Sequence, residues 1–168
     1  MTSSGLIPQP SSFRRLIVGI SGASGVIYGI RLLQVLQQGG EIETHLILSA
    51  AAKATIAQET DWKISDVEKL ASVVHHPHDI GAGIASGSFV TMGMVIAPCS
   101  IKTLSAVANS YSTDLMSRAA DVCLKEGRPL ILCVRETPLH LGHLRLMTQA
   151  AEIGATILPP VPAFYGRP

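Results

Sequence analysis

The sequence predicts an α/β fold, a parallel sheet with helices on both faces. Three observations carry the prediction. Five short apolar runs, bounded by glycine, proline and polar residues, recur along the chain. Stretches with apolar residues at helical spacing, or rich in alanine, separate them. A glycine-rich turn, "GISGASG" at 19–25, joins the first run to the first helical stretch. Together they describe a three-layer, doubly wound sheet of the Rossmann-like (flavodoxin-like) kind in a single domain.

In chain order, "RLIVGIS" (15–21), "ETHLILS" (43–49), "MGMVIAPCS" (92–100), "PLILCVRE" (129–136) and "ATILPP" (155–160) read as buried strands. The first helix covers 26–38: Ile27, Ile30, Leu33 and Leu36 are three apart, and "QQGG" stops it. An alanine-rich helix, 50–58, follows the second strand. Helices over 103–109 and 113–126 fill the gap before the fourth strand, and 141–153 the gap before the fifth. Residues 75–89 form the longest irregular stretch, and long loops in compact domains are often functional. The first 13 residues are rich in Ser and Pro and lack an apolar signal core. They are expected to form a flexible arm, 1–13, leaving 14–168 as the domain.

Hydrophobic residues make up 47 % and charged residues 15 %, so a well-buried core is expected, with apolar surplus for subunit contacts. A net charge of +1 argues against nucleic acid or an anionic membrane as partner. No apolar run approaches the roughly 20 residues of a membrane span. Cys99, Cys123 and Cys133 are scattered in apolar surroundings, as reduced thiols of a cytoplasmic protein would be.

In such a sheet, ligands sit outside the carboxyl ends of the strands. Those ends read "SGASG", "SAAAK", "PCSIKT", "RETPLH" and "PPVPAFY", an edge suited to a polar, phosphorylated ligand. The N–H groups of "GISGASG" can meet an anion where the helix begins. The turn is neither a Walker A loop nor a clean G-x-G-x-x-G. Ser49 stands where a dinucleotide site wants an acid for the ribose, so flavin mononucleotide (FMN) fits better. The plainer alternative is a turn that binds nothing.

Arg118, Asp121 and Lys125 share one helix face, with the two cations about 10 Å apart along it. They are either a solvated salt-bridge stripe or an anion site. Arg135 and Glu136 directly follow a buried strand, a costly place for charge unless a ligand meets it or the pair caps the turn before Pro138. Glu59, at the end of the alanine-rich helix, reads equally as a surface carboxylate. The histidines at 75, 76, 78, 140 and 143 lack metal-site spacing and no D-D-x-x-D run is present, so no metal is expected. Nor does "ISGAS" form the elbow of a serine nucleophile.

"GISGASGVIYGIRLLQVL", "IETHLILSAAAKATIAQET", "IASGSF", "PCSIKTLSAVA" and "RAADVCLKEGRPLILCVRETPLHLGHLRLMTQAAEIGATILPPVPAFY" closely resemble the flavin prenyltransferases of the UbiX type, long called phenylacrylic acid decarboxylases. The resemblance runs from about residue 14 to residue 168. It implies a homododecamer built from trimers. It also implies metal-independent transfer of a dimethylallyl group from dimethylallyl monophosphate to N5 and C6 of reduced FMN. The prenylated FMN then serves a UbiD-type decarboxylase, often in ubiquinone synthesis.

The resemblance places FMN contacts on Gly22, Ala23, Ser24, Ser49, Ser100, Ile101, Lys102, Thr103 and Arg118. Prenyl-phosphate contacts fall on Lys125, Arg135, Glu136 and Tyr165. A catalytic carboxylate falls on Glu59, with Ser24 beside flavin N5. Lys125, Arg135 and Tyr165 are expected to stabilise the departing phosphate, and Glu136 to hand it a proton. Arg118, Lys125 and Arg135 are expected along one rim of the sheet. The family's C-terminal helix, with an Arg for the prenyl phosphate and a Trp lining the site, is expected to be absent beyond "FYGRP". Two other readings stand beside this one: a relative of the flavin-dependent cysteine decarboxylases, disfavoured because "PCSIKT" lacks their Asn, and a non-catalytic FMN-binding subunit.

Overall fold

The computed structural model describes residues 14–163, so the expected arm and Tyr165 lie outside the described residues. Six strands, β1 (Arg15–Ile20), β2 (Glu43–Leu48), β3 (Val73–His75), β4 (Gly93–Cys99), β5 (Leu130–Val134) and β6 (Thr156–Ile157), form one sheet in the order β3-β2-β1-β4-β5-β6. All pairings are parallel. The helices are α1 (Ile27–Gly39), α2 (Ala50–Glu59), α3 (Ile64–Glu68), α4 (Ile101–Ala108), α5 (Leu115–Lys125) and α6 (Leu141–Glu152).

The five expected strands are all present, in the flavodoxin order second, first, third, fourth, fifth. The addition is β3, which joins the free edge of β2 and gives the Rossmann order. Its three residues are too few to show a period, and Val73 and Val74 are exposed. The five-residue α3 is likewise too short to announce itself.

Alternation along the strands separates two cores. Val18, Ile20, Leu46 and Leu48 pack with Val26, Ile30 and Leu33 of α1 and its start, and with Ala52 and Ile56 of α2. Ile17, Ile47, Met94 and Ile96 point to the other face, into the cluster holding Leu104 of α4, Ala119 and Cys123 of α5, and Ala150 of α6. Burial on both faces is why these strands read as unbroken apolar runs. The "QQGG" stop works as expected: Gly40 is left-handed (φ 66°) and its N–H donates to the Leu36 carbonyl. Asp114 starts α5 through a reciprocal capping box with Ser117.

The irregular stretch before β4 is tied down by cations. Arg128 donates to the Phe89 carbonyl (2.8 Å) and the Gly87 carbonyl (2.6 Å), and Arg118 Nε to the Ala85 carbonyl (3.2 Å). Cys99 and Cys123 are buried, Cys133 is half-buried, and all three are free thiols. Among the described residues no helix is long and apolar enough to cross a membrane.

Candidate cofactor site

The sheet order changes direction between β1 and β4, and a cavity of about 370 Å³ opens there, outside the carboxyl ends of the strands. Gly22, Ser49, Ser100, Lys102 and Thr103, five of the expected FMN contacts, line it. Ser49 caps α2, its Oγ accepting from Ala52 N–H (3.0 Å); Ser100 caps α4, its Oγ accepting from Thr103 N–H (3.3 Å). In both helices the leading N–H groups, those of Ala50, Ala51, Ile101 and Lys102, have no intrahelical acceptor and lie where an anion can meet them. The β1 turn closes against this wall at Gly22, where a Cβ would overlap Ala51. Ala23 is buried and Ile101 half-buried beside the cavity without lining it.

The far wall was not legible as a site. Pro77, His78, Thr113, Asp114 and Met116 complete it. The irregular stretch at 75–89 was the one signal for the first two. Leu115 N–H donates to the Pro77 carbonyl (2.8 Å), which holds this stretch against the start of α5.

The start of α1 is where the structure corrects the reading of the glycine turn. Its anion comes from the chain itself: Gly25 N–H donates to Glu59 Oε2 (2.8 Å). The Ser24 hydroxyl, the N–H groups of Gly25 and Val26, and the Arg135 charge hold this carboxyl below the usual carboxylate range, against some desolvation. Ser24 and Glu59 are thus drawn together, within reach of the Arg135 charge, although Glu59 and Arg135 are exposed and more than 70 residues apart in sequence. The Gly25 N–H is therefore already engaged, whereas the starts of α2 and α4 keep leading N–H groups without an intrahelical acceptor.

The expectation of one cationic rim does not hold within a single chain. Arg118 pairs with Asp121 (3.1 Å) and with the Ala85 carbonyl, the salt-bridge alternative raised by the sequence. Lys125 pairs with Glu126 (2.9 Å) at the far end of α5. This follows from the crossover connection: α5 runs against the strands, starting at the cavity with Asp114 and Ser117. Lys125, eight residues beyond Ser117, is about 12 Å further along the axis. Arg135 and Glu136 carry no burial cost, because both are exposed; Glu136 Oε1 accepts from Thr137 N–H (3.0 Å), capping its own turn. His140 caps α6 by accepting from Gly142 N–H (3.0 Å), with the His143 ring against it.

Comparison with known proteins adds to this geometry. Residues 7–162 match the family model described as Flavoprotein. The chain is 68 % identical over 155 residues to the flavin prenyltransferase UbiX of Escherichia coli (strain K12), a match covering 92 % of this chain and 82 % of that protein. It is similar to a dodecameric FMN-dependent UbiX-like decarboxylase from Escherichia coli O157:H7, with a TM-score of 0.90 and 48 % identity over 92 % of this chain and 83 % of that one. It is also similar to AnUbiX (PadA1) solved in complex with FMN and dimethylallyl pyrophosphate, with a TM-score of 0.89 and 49 % identity over 91 % and 81 % of the two chains.

Proposed function

The chain belongs to the UbiX flavin prenyltransferase family, and from that premise we propose that it transfers a dimethylallyl group from dimethylallyl monophosphate to reduced FMN, for use by a UbiD-type decarboxylase. The observation that carries this reading is the cavity at the sheet's reversal. Its donors are hydroxyls and helix N-termini; Glu59 does not line it, but is clasped by the Gly25 N–H, three residues beyond the lining Gly22. The donor set fits FMN: Ser49, Ser100, Thr103, Lys102 and the leading N–H groups of α2 and α4 would hold its phosphate and hydroxyl chain. Bound in the reduced state, FMN supplies the electron-rich acceptor. At 370 Å³ the cavity is near the lower end of ligand-sized sites, roughly 300–1,000 Å³, so part of the ligand pair rests on other surfaces.

The chain's own residues divide the remaining work. Breaking the allylic C–O bond builds negative charge on the leaving phosphate, and Arg135, whose charge is felt at Glu59, is the cation that offsets it in this reading. Glu59, kept anionic at neutral pH by Ser24 and two N–H groups, is the base in this reading. Glu136, exposed at the mouth of β5, is the acid for the departing phosphate. Lys125 and Arg118 lie away from their own chain's cavity, so in this reading they serve the cavity of a neighbouring copy within a twelve-subunit assembly. The monophosphate is preferred over the diphosphate because the sequence offers separate cations and no aspartate cluster for magnesium.

Anaerobic incubation with reduced FMN and dimethylallyl monophosphate, followed by flavin mass spectrometry, tests the proposal. One added C5H8 unit is expected. Glu59→Gln and Lys125→Ala should each retain FMN and lose the product by roughly 10²–10³-fold in rate. Assemblies refolded from a mixture of the two variants should regain activity, because some cavities then combine an intact Glu59 with a neighbour's Lys125. Unchanged mass with the native chain rejects the activity, and mixtures no better than either variant reject the shared site.

A further inference from the structure

Ser21 is the residue to which neither the sequence nor the mechanism gives a task, yet it is 1 % exposed and fully bonded. Its Oγ donates to the Pro98 carbonyl (2.9 Å) and accepts from Ser100 N–H (2.7 Å). Its own N–H also donates to the Pro98 carbonyl (3.2 Å). The β1–β4 ladder ends at the pair Gly19 and Ile96. Beyond it one backbone bond, from Ser21 N–H to the Pro98 carbonyl, still joins the two chains before one turns into α1 through Gly22 and the other into α4 through Ser100. No helix bridges this gap, because the crossovers leave it in opposite directions. The Ser21 hydroxyl continues the pairing where the ladder stops.

The contact is passed on. Ser100 Oγ meets Thr103 N–H (3.3 Å) and Thr103 Oγ1 (3.1 Å), so the residue whose N–H is fixed by Ser21 also caps α4. Gly22, Ser100 and Thr103 all line the cavity. With its one donor spent on Pro98, the Ser21 hydroxyl has no proton to offer a ligand.

We propose that Ser21 is a positioning residue, whose hydroxyl sets the spacing between the β1 turn and the start of α4 to the width that FMN requires. This rests on the FMN reading given above. Removing the hydroxyl strands the Ser100 N–H and lets the two walls drift, while the strands below keep their own ladder.

The test compares Ser21→Thr with Ser21→Val, two side chains of the same shape that differ in the hydroxyl, alongside Ser21→Ala. FMN binding is followed by fluorescence quenching, the bound flavin by its visible spectrum, and turnover by KM for FMN against kcat. The expected result is a dissociation constant and KM about tenfold higher for Val than for Thr. A shifted flavin spectrum, and a kcat at saturating FMN within about threefold, should accompany it. Ser21→Ala is expected to follow Val. Equal FMN affinity and spectra in Thr and Val overturn the proposal, as does a loss confined to thermal stability. If the native chain itself fails to bind FMN, the functional reading falls instead.

Discussion

Substituting Gly22 by alanine is the sharpest mechanical test of the cavity wall. A Cβ at this position would overlap the Ala51 Cβ and come within 3.1–3.2 Å of the Ala51 backbone. Ala51 is the second residue of α2, so the clash falls on rigid helix and is not absorbed by a flexible side chain. Relief requires the start of α2 to move away from the β1 turn, carrying Ser49 and the leading N–H groups with it. Overpacking of this kind costs about 1–3 kcal/mol. Where the strain is released by displacing one wall of the site, the same energy weakens FMN binding by roughly 5- to 150-fold at 1.4 kcal/mol per tenfold. Gly39→Ala is the control, because a Cβ there meets nothing within 4 Å. Fluorescence titration with FMN and a thermal melt of both variants provide the measurement. Gly22→Ala binding FMN within twofold of the native chain, with an unchanged melting temperature, would show that the wall is not set by this contact.

Two further outcomes are expected. His45 Nδ1 lies 2.9 Å from His75 Nε2, with Glu43 Oε1 on His45 Nε2 (2.8 Å), and burial followed by the His45 charge pushes the His75 pKa below its ordinary 6.5, with Asp79 acting the other way. The folded chain therefore binds fewer protons than the unfolded one, and its stability falls as pH drops from about 6.5 through the lower folded value; His75→Asn should flatten this part of the melting temperature against pH, and an unaltered slope would exclude the pair as its source. Arg128→Ala removes two charge-assisted bonds to the Gly87 and Phe89 carbonyls, so a loss of about 3 kcal/mol is expected in denaturant unfolding, with hydrogen exchange faster across 83–92; protection unchanged there would rule out the clamp.

Much of this protein is written locally. Apolar runs long enough to cross a sheet, helices with caps such as Asp114 and Ser100, and the "QQGG" stop each rest on neighbours in sequence. The sequence alone therefore determined the five main strands, the layer order and the cavity's near wall at Gly22, Ser49, Ser100, Lys102 and Thr103. Its motifs also pointed to the family. Tertiary structure decided what depends on pairs distant along the chain. Only the assembled sheet lets β3 find an edge, since a three-residue strand with two exposed valines has no core of its own to specify it. Only folding brings Glu59 onto the turn at 24–26, which turns a supposed phosphate cradle into a clasp for a carboxylate. The direction of α5 was likewise invisible as a consequence: a helical repeat shows that Arg118 and Lys125 share a face, but a helix running against the strands carries Lys125 away from the carboxyl edge, and Arg118 is taken up by Asp121 and the Ala85 carbonyl.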